Sequence, residues 1–167
     1  MQKPKITIII PCKNAEGTIQ KTFDSLREQK YENLECIVMD SLSTDNTCKI
    51  IEENKDIISK FISKKDKSGA DACNKAISMS SGEIIGFLYA DDYLSNNALN
   101  DICIAYQNNP NINIFSYGLS IEKLESKKVI TESFRKKNIQ LNLNNILFKH
   151  VLNHFYNRKI FENYGTY

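Results

Sequence analysis

The sequence predicts an α/β domain with a mostly parallel central sheet and helices on both faces. Two observations carry this. Apolar runs of strand length alternate with segments whose apolar residues recur at helical spacing, from residue 5 to residue 119. The runs are apolar throughout rather than at every second position, which suits strands buried on both faces, as parallel sheets require.

Ile6-Thr7-Ile8-Ile9-Ile10, closed by Pro11, is the first expected strand. A loop over Cys12–Glu16 follows, and from Thr18 the residues Ile19, Phe23 and Leu26 share one helix face until Glu28-Gln29-Lys30 turns polar. Leu34–Met39 is a second strand ending at Asp40, and Ser43-Thr44-Asp45 offers N-caps for a helix through Ile50 and Ile51. Ile57–Ile62 gives a weaker third strand, Asp71–Met79 a helix of small residues, and Ile84–Tyr89 a strand ending at Ala90-Asp91-Asp92. Leu99, Ile102, Cys103 and Tyr106 line a helix starting near Asn96, and Ile112–Leu119 reads as a further strand. Beyond Leu119 the pattern weakens: Val129–Phe134 suits a short strand, and Asn138–Asn145 is Asn-rich without periodicity.

A chain of 167 residues with 41% hydrophobic and 25% charged side chains has the size and composition of one domain with a sizeable core. Its 22 basic and 20 acidic residues leave a net charge of +2, which argues against nucleic acid as a partner. Cys12, Cys36, Cys48, Cys73 and Cys103 are odd in number, lack C-x-x-C spacing and lie mostly in apolar segments, so reduced core thiols and a cytoplasmic setting are expected. Ile6–Ile10 is too short for a signal segment, and no run approaches the ~20 apolar residues of a membrane span.

In sheets of this kind ligands bind at the carboxyl ends of the strands. Pro11–Asn14, Asp40–Asp45 and Ala90–Asp92 should therefore share one edge. Asp91-Asp92 suits a hard divalent cation, since Mg²⁺ and Mn²⁺ take oxygen ligands from one or two carboxylates plus phosphates. The plainer reading of adjacent loop carboxylates is solvation or capping of the next helix. Asp40 can accept from a nucleobase N–H or a ribose hydroxyl; its plainer role, an N-cap, is already covered by Ser43, Thr44 and Asp45. Asp66-Lys67-Ser68-Gly69, ahead of a helix with Asp71, Asn74 and Lys75, can offer cationic and backbone donors to a diphosphate, or can simply be a turn and a helix start. His150 and His154, four apart, would share a helix face and suit zinc if further ligands converged, but no third ligand is evident nearby; the segment also reads as a strand, and the pair as acceptor or leaving-group contacts.

Pro11-Cys12-Lys13-Asn14-Ala15-Glu16, then Ser25 to Asp40, then Ser43-Thr44-Asp45-Asn46-Thr47 resemble the opening of family 2 glycosyltransferases. Asp66–Lys75 followed by Ser81–Asp92 is similar to the segment leading into that family's metal-binding acidic motif. The resemblance implies a GT-A fold, a nucleoside diphosphate sugar as donor, Mg²⁺ or Mn²⁺, and inversion at the anomeric carbon. By position it implies that Pro11, Lys13 and Asn14 line the nucleotide pocket, that Asp40 contacts base or ribose, and that Asp91 and Asp92 serve metal and diphosphate. Asp66, Lys67 and Asp71 would flank the donor. Residues 1–119 would form the nucleotide-sugar-binding part and 120–167 an incomplete acceptor-side part of one domain.

The pattern also departs from the family. Lys13 stands where an aromatic is common, Ser41 where Asp or Gly is usual, and Asn46 where Gly is frequent, the last change eased because Asn tolerates a left-handed backbone. Tyr89 replaces a common Asp or Asn, which leaves fewer metal ligands. Phe155–Tyr167 resembles the family's acceptor-side strand and the segment just before its catalytic carboxylate, so the general base is expected beyond Tyr167. The implied acceptor is a saccharide or lipid-linked glycan, which would bring the protein to the inner face of a membrane, although no basic amphipathic helix stands out. The alternative is a truncated module that binds nucleotide sugar with little transfer. A dinucleotide-binding domain fits the strand pattern but lacks G-x-G-x-x-G after the first strand.

Overall fold

The computed structural model describes residues 2–109, 111–116, 119–123, 128–132 and 154–166. Strands β1 (Ile6–Cys12), β2 (Leu34–Asp40), β3 (Lys60–Ser63) and β4 (Ile84–Phe87) alternate with helices α1 (Ile19–Glu28), α2 (Thr47–Glu53) and α3 (Gly69–Met79). Helix α4 (Ala98–Asn108) and β5 (Ile114–Ser116) follow, then β6 (Leu119–Lys123), β7 (Lys128–Glu132), β8 (His154–Asn157) and a short α5 (Lys159–Tyr164).

Six strands form one sheet in the order β3-β2-β1-β4-β8-β5, and β6 and β7 form an antiparallel pair of their own. The pairs β1–β2, β1–β4 and β2–β3 are parallel, while β8 runs against both β4 and β5. The sheet is thus mostly parallel, as expected, with one reversed strand. The expected strand over Ile112–Leu119 divides: its first half joins the main sheet as β5, and Leu119 begins β6 in the second sheet.

Side chains alternate across the sheet with a period of two. Ile6, Ile8, Ile10, Cys36, Val38 and Ile84 pack with Ile19, Phe23 and Leu26 of α1, Ile51 of α2 and Leu99 and Ile102 of α4. Ile9, Ile37, Met39, Ile85 and Phe87 point the other way, against Ala72, Cys73 and Ala76 of α3 and Ile160 and Phe161 of α5. Helices therefore cover both faces. The reversed strand fits beside β4 because Gly86 has no side chain: a Cβ there would stand 2.7 Å from the Phe155 ring. None of the described helices is long and apolar enough to cross a membrane.

Candidate active site

The loops after β1 and β2 are knitted together. Asn14 N–H donates to Ser43 Oγ at 2.8 Å, and Thr44 N–H donates back to Asn14 Oδ1 at 2.9 Å. Ala15 N–H reaches Thr47 Oγ1 at 2.7 Å, Glu16 N–H reaches Asp45 Oδ2 at 3.1 Å, and Asn46 N–H returns to the Glu16 carboxylate at 2.9 Å. Each loop thus supplies the partners for the other's exposed backbone donors. Asn14 holds a left-handed φ of 50°, which Asn accepts more readily than most residues. Asn46 does not: its φ is −76°, and the left-handed residue of the second loop is Leu42, at 53°. The Asn46 side chain donates to Glu16 at 2.7 Å, so its place in the loop rests on that bond and not on backbone freedom.

Asp40 shares the parity of Cys36 and Val38, so its side chain turns beneath the loop toward α2 and is completely buried. Its oxygens accept from Ser43 N–H at 3.2 and 3.1 Å, from Ser43 Oγ, from Ser63 Oγ at 2.6 Å and from the Cys48 thiol at 3.3 Å. Burial alone would raise its pKa, but the hydrogen bonds from Ser43 and Ser63 prevail and hold the carboxyl below the usual range. Both carboxylate oxygens of Asp40, expected at the base or ribose, are held here by groups of the fold. Asp40 braces the loop on which Ser41–Thr44 sit.

The turn before α3 is likewise committed. Ser68 caps the helix, accepting from Asp71 N–H at 3.2 Å, and Lys67 N–H donates to Asp71 Oδ2 at 3.0 Å. Lys75 Nζ lies 2.8 Å from both Asp66 and Asp71. Lys67 N–H, expected as a diphosphate donor, is spent on Asp71. Asp66 keeps one buried oxygen, Oδ2, without a partner.

Asp91 and Asp92 follow β4 in an irregular segment, with Asp91 exposed and Asp92 half-buried. Burial and the neighbouring Asp91 charge push the Asp92 carboxyl above the usual range, with no hydrogen bond to offset them. Because β4 lies beside β1, this segment is on the same edge as the knitted loops: Leu88 N–H donates to Ile9 C=O at 3.0 Å. Tyr89, 36% exposed, is pushed up by burial and by Cys73 of α3, and on the α1 side Thr22 Oγ1 donates to the Asp92 carbonyl at 2.7 Å.

As a donor set, two adjacent carboxylates whose charges repel each other suit a hard cation that also takes phosphate oxygens. Among the described residues no cluster of three or more His, Cys, Asp or Glu could hold a metal by protein ligands alone. His154 opens β8 and is not on a helix, and His150 lies outside the described residues, as does the Asn-rich stretch 138–145. An open groove of about 680 Å³ lined by Arg27, Lys30, Tyr31, Asp56 and Ser59 lies at the start of β2, and the acidic pair does not line it.

The sequence profile of glycosyl transferase family 2 matches residues 7–165. The chain belongs to that family. It is 41% identical over 91 residues to the Escherichia coli UDP-Glc:alpha-D-GlcNAc-diphosphoundecaprenol beta-1,3-glucosyltransferase WfaP, a match covering 53% of this chain and 36% of the relative. Among solved structures, residues 1–349 of S. aureus TarS in complex with UDP-GlcNAc superpose with a TM-score of 0.72 at 20% identity, covering 95% of this chain and 47% of that one. The mannosyltransferase PcManGT from Pyrobaculum calidifontis, in complex with GDP-Man and Mn²⁺, gives 0.73 at 20% identity, covering all of this chain and 48% of that one. The fold is of the GT-A type, and the chain spans less than half the length of these relatives.

Proposed function

We propose that this chain forms the donor-binding part of an inverting glycosyltransferase that moves a sugar from a nucleoside diphosphate sugar to a glycan or lipid-linked acceptor. The observation that carries the reading is the Asp91–Asp92 pair. These carboxylates stand at the end of a central strand beside loops whose other carboxylates are already partnered. The likeness to WfaP favours a UDP-sugar donor and a lipid-linked acceptor. The complexes of TarS with UDP-GlcNAc and of PcManGT with GDP-Man and Mn²⁺ favour a nucleotide sugar and a divalent cation.

In this reading Asp92 and Asp91 hold Mg²⁺ or Mn²⁺, which supplies positive charge against the departing diphosphate. Pro11, Lys13 and Asn14 line the nucleotide, with Asn14 held by Ser43 at its backbone N–H and by Thr44 at its side-chain oxygen. Asp40 acts from beneath by fixing Ser43, and Lys75 with Asp66 and Asp71 fixes the start of α3 beside the donor.

Calorimetric titration of UDP, GDP and TDP with and without Mn²⁺, repeated on Asp92→Ala, tests the reading. Mn²⁺-dependent binding that weakens about 100-fold in Asp92→Ala is expected. Binding that is indifferent to Mn²⁺ and to Asp92 would overturn the assignment of the acidic pair.

A further inference from the structure

Helix α1 carries a polar row on a face it turns inward. Thr22 and Ser25 of the helix and Gln29 at its C-cap are three and four residues apart, so they stack along one side. They are 0%, 5% and 2% exposed. Three polar side chains on the buried side of a surface helix cost stability unless each is hydrogen-bonded, so the partners they find explain their presence. All three reach the same segment, residues 92–99, which leaves β4 and enters α4.

Thr22 Oγ1 donates to the Asp92 carbonyl at 2.7 Å. Leu94 N–H donates to Ser25 Oγ at 3.1 Å. Gln29 Nε2 donates to the Ser95 carbonyl at 3.0 Å, while its Oε1 accepts from Leu99 N–H at 3.2 Å. Beside this row, Lys21 Nζ stands 4.0 Å from the centre of the Tyr93 ring. The row is itself fixed to its own helix, since Ser25 Oγ donates to Thr22 C=O at 2.8 Å and Gln29 Nε2 to Ser25 C=O at 3.1 Å. Residues 93–96 belong to no helix or strand, and these side chains supply the backbone partners that regular structure would otherwise provide.

Asp92 is held at both backbone groups. Its N–H donates to Tyr89 C=O at 3.0 Å and its C=O accepts from Thr22, so both of its backbone groups are fixed and only the side chain is left to move. We infer that the Thr22–Ser25–Gln29 row is a positioning device that holds the Asp92 backbone so that the acidic pair meets a cation-bound diphosphate in one geometry. The inference rests on the donor-site reading above and extends it to three residues that never touch the ligand. Groups that orient metal ligands from behind carry about 10- to 100-fold of metal affinity when mutated.

Thr22→Val and Thr22→Ser in the full chain test this, with Gln29→Leu as a second break in the row. Thr22→Val keeps the shape and removes the hydroxyl, whereas Thr22→Ser keeps the hydroxyl. Expected for Thr22→Val is a loss of about 10-fold in Mn²⁺-dependent UDP, GDP or TDP affinity with nucleotide binding in EDTA unchanged, and rescue in Thr22→Ser. Amide exchange of residues 92–97 should accelerate in Thr22→Val and Gln29→Leu while β1 and β2 stay protected. Mn²⁺-dependent affinity equal to wild type in Thr22→Val overturns the inference, as does an equal loss with and without Mn²⁺, which marks a merely structural residue. If the wild-type chain binds no Mn²⁺-nucleotide at all, the donor-site reading falls. Exchange then decides alone whether the row holds the segment: acceleration confined to residues 92–97 upholds it, and unchanged exchange overturns it.

Discussion

Strand β2 carries a buried carboxylate near each end, and β4 is followed by a pair of another kind. Glu35, near the start of β2, accepts from Thr7 Oγ1 at 2.6 Å and from Ser81 N–H at 2.7 Å, with Lys60 at 3.5 Å. Asp40, at the other end, accepts from Ser43, Ser63 and Cys48. Burial opposes ionisation at both, yet their donors win and both carboxyls sit below the usual range. Asp92 is displaced the other way, by burial and by Asp91, and nothing offsets it. A carboxylate whose partners come from the fold is part of the architecture. One that the fold leaves under-partnered at a strand end gains from a cation brought by a ligand.

The largest effect that could break this contrast concerns stability. Asp40→Ala removes a buried carboxylate and leaves Ser43 N–H and the exposed Ser63 hydroxyl without their acceptor, and should lower the unfolding free energy by about 2 kcal/mol. Asp92→Ala removes a repelled charge and should leave stability unchanged or slightly higher. Urea denaturation of the two variants measures both. A loss of several kcal/mol in Asp92→Ala would mean that the acidic pair is as structural as Asp40.

The effect of acid separates the two groups on the pH axis. For Asp40 and Glu35 the folded pKa lies below the unfolded one, so their stabilisation is complete above the ordinary values of 3.8 and 4.5 and is lost as pH falls through the folded values. For Asp92 the folded pKa lies above 3.8, so protonating it favours the fold but competes with a cation. Mn²⁺-dependent nucleotide affinity should therefore fall on acidification before the fold does, by about tenfold per pH unit once below the Asp92 pKa. Calorimetry and thermal melts across the same buffers check the order. Affinity and stability failing together would show that Asp92 does not control the cation.

Much of this was legible in the sequence because it is local. Continuous apolar runs gave β1, β2 and β4, helical spacing gave α1 and α4, and Asp91-Asp92 stands out as a pair after a buried run. What depends on distant partners was not. That β8 would insert between β4 and β5 rests on Gly86 meeting Phe155, some seventy positions away in the chain. The inward parity of Asp40, which ends a strand, emerges only when Cys36 and Val38 are placed on the α1 side. Thr22, Ser25 and Gln29 form no motif in the sequence. Their spacing beside Ile19, Phe23 and Leu26 is visible there, but its meaning needed residues 92–99 alongside.

The smallest expected effect sharpens the comparison within the knitted loops. Each loop has one left-handed residue: Asn14 at φ 50° in the first and Leu42 at 53° in the second. Asn accepts that conformation at little cost, whereas a bulky side chain loses about 1–2 kcal/mol there, and Leu42 is half exposed and recovers little by burial. Strain that persists on a strand-end loop is held in place by the surrounding bonds, here those from Ser43 to Asp40 and Asn14. Leu42→Asn should therefore raise the unfolding free energy by about 1 kcal/mol, or roughly 2–4 °C in melting temperature. Nucleotide titration of the same variant shows whether the strain serves the site. Greater stability with unchanged affinity makes Leu42 an incidental cost of the loop, while greater stability with weaker binding assigns its backbone conformation to the pocket.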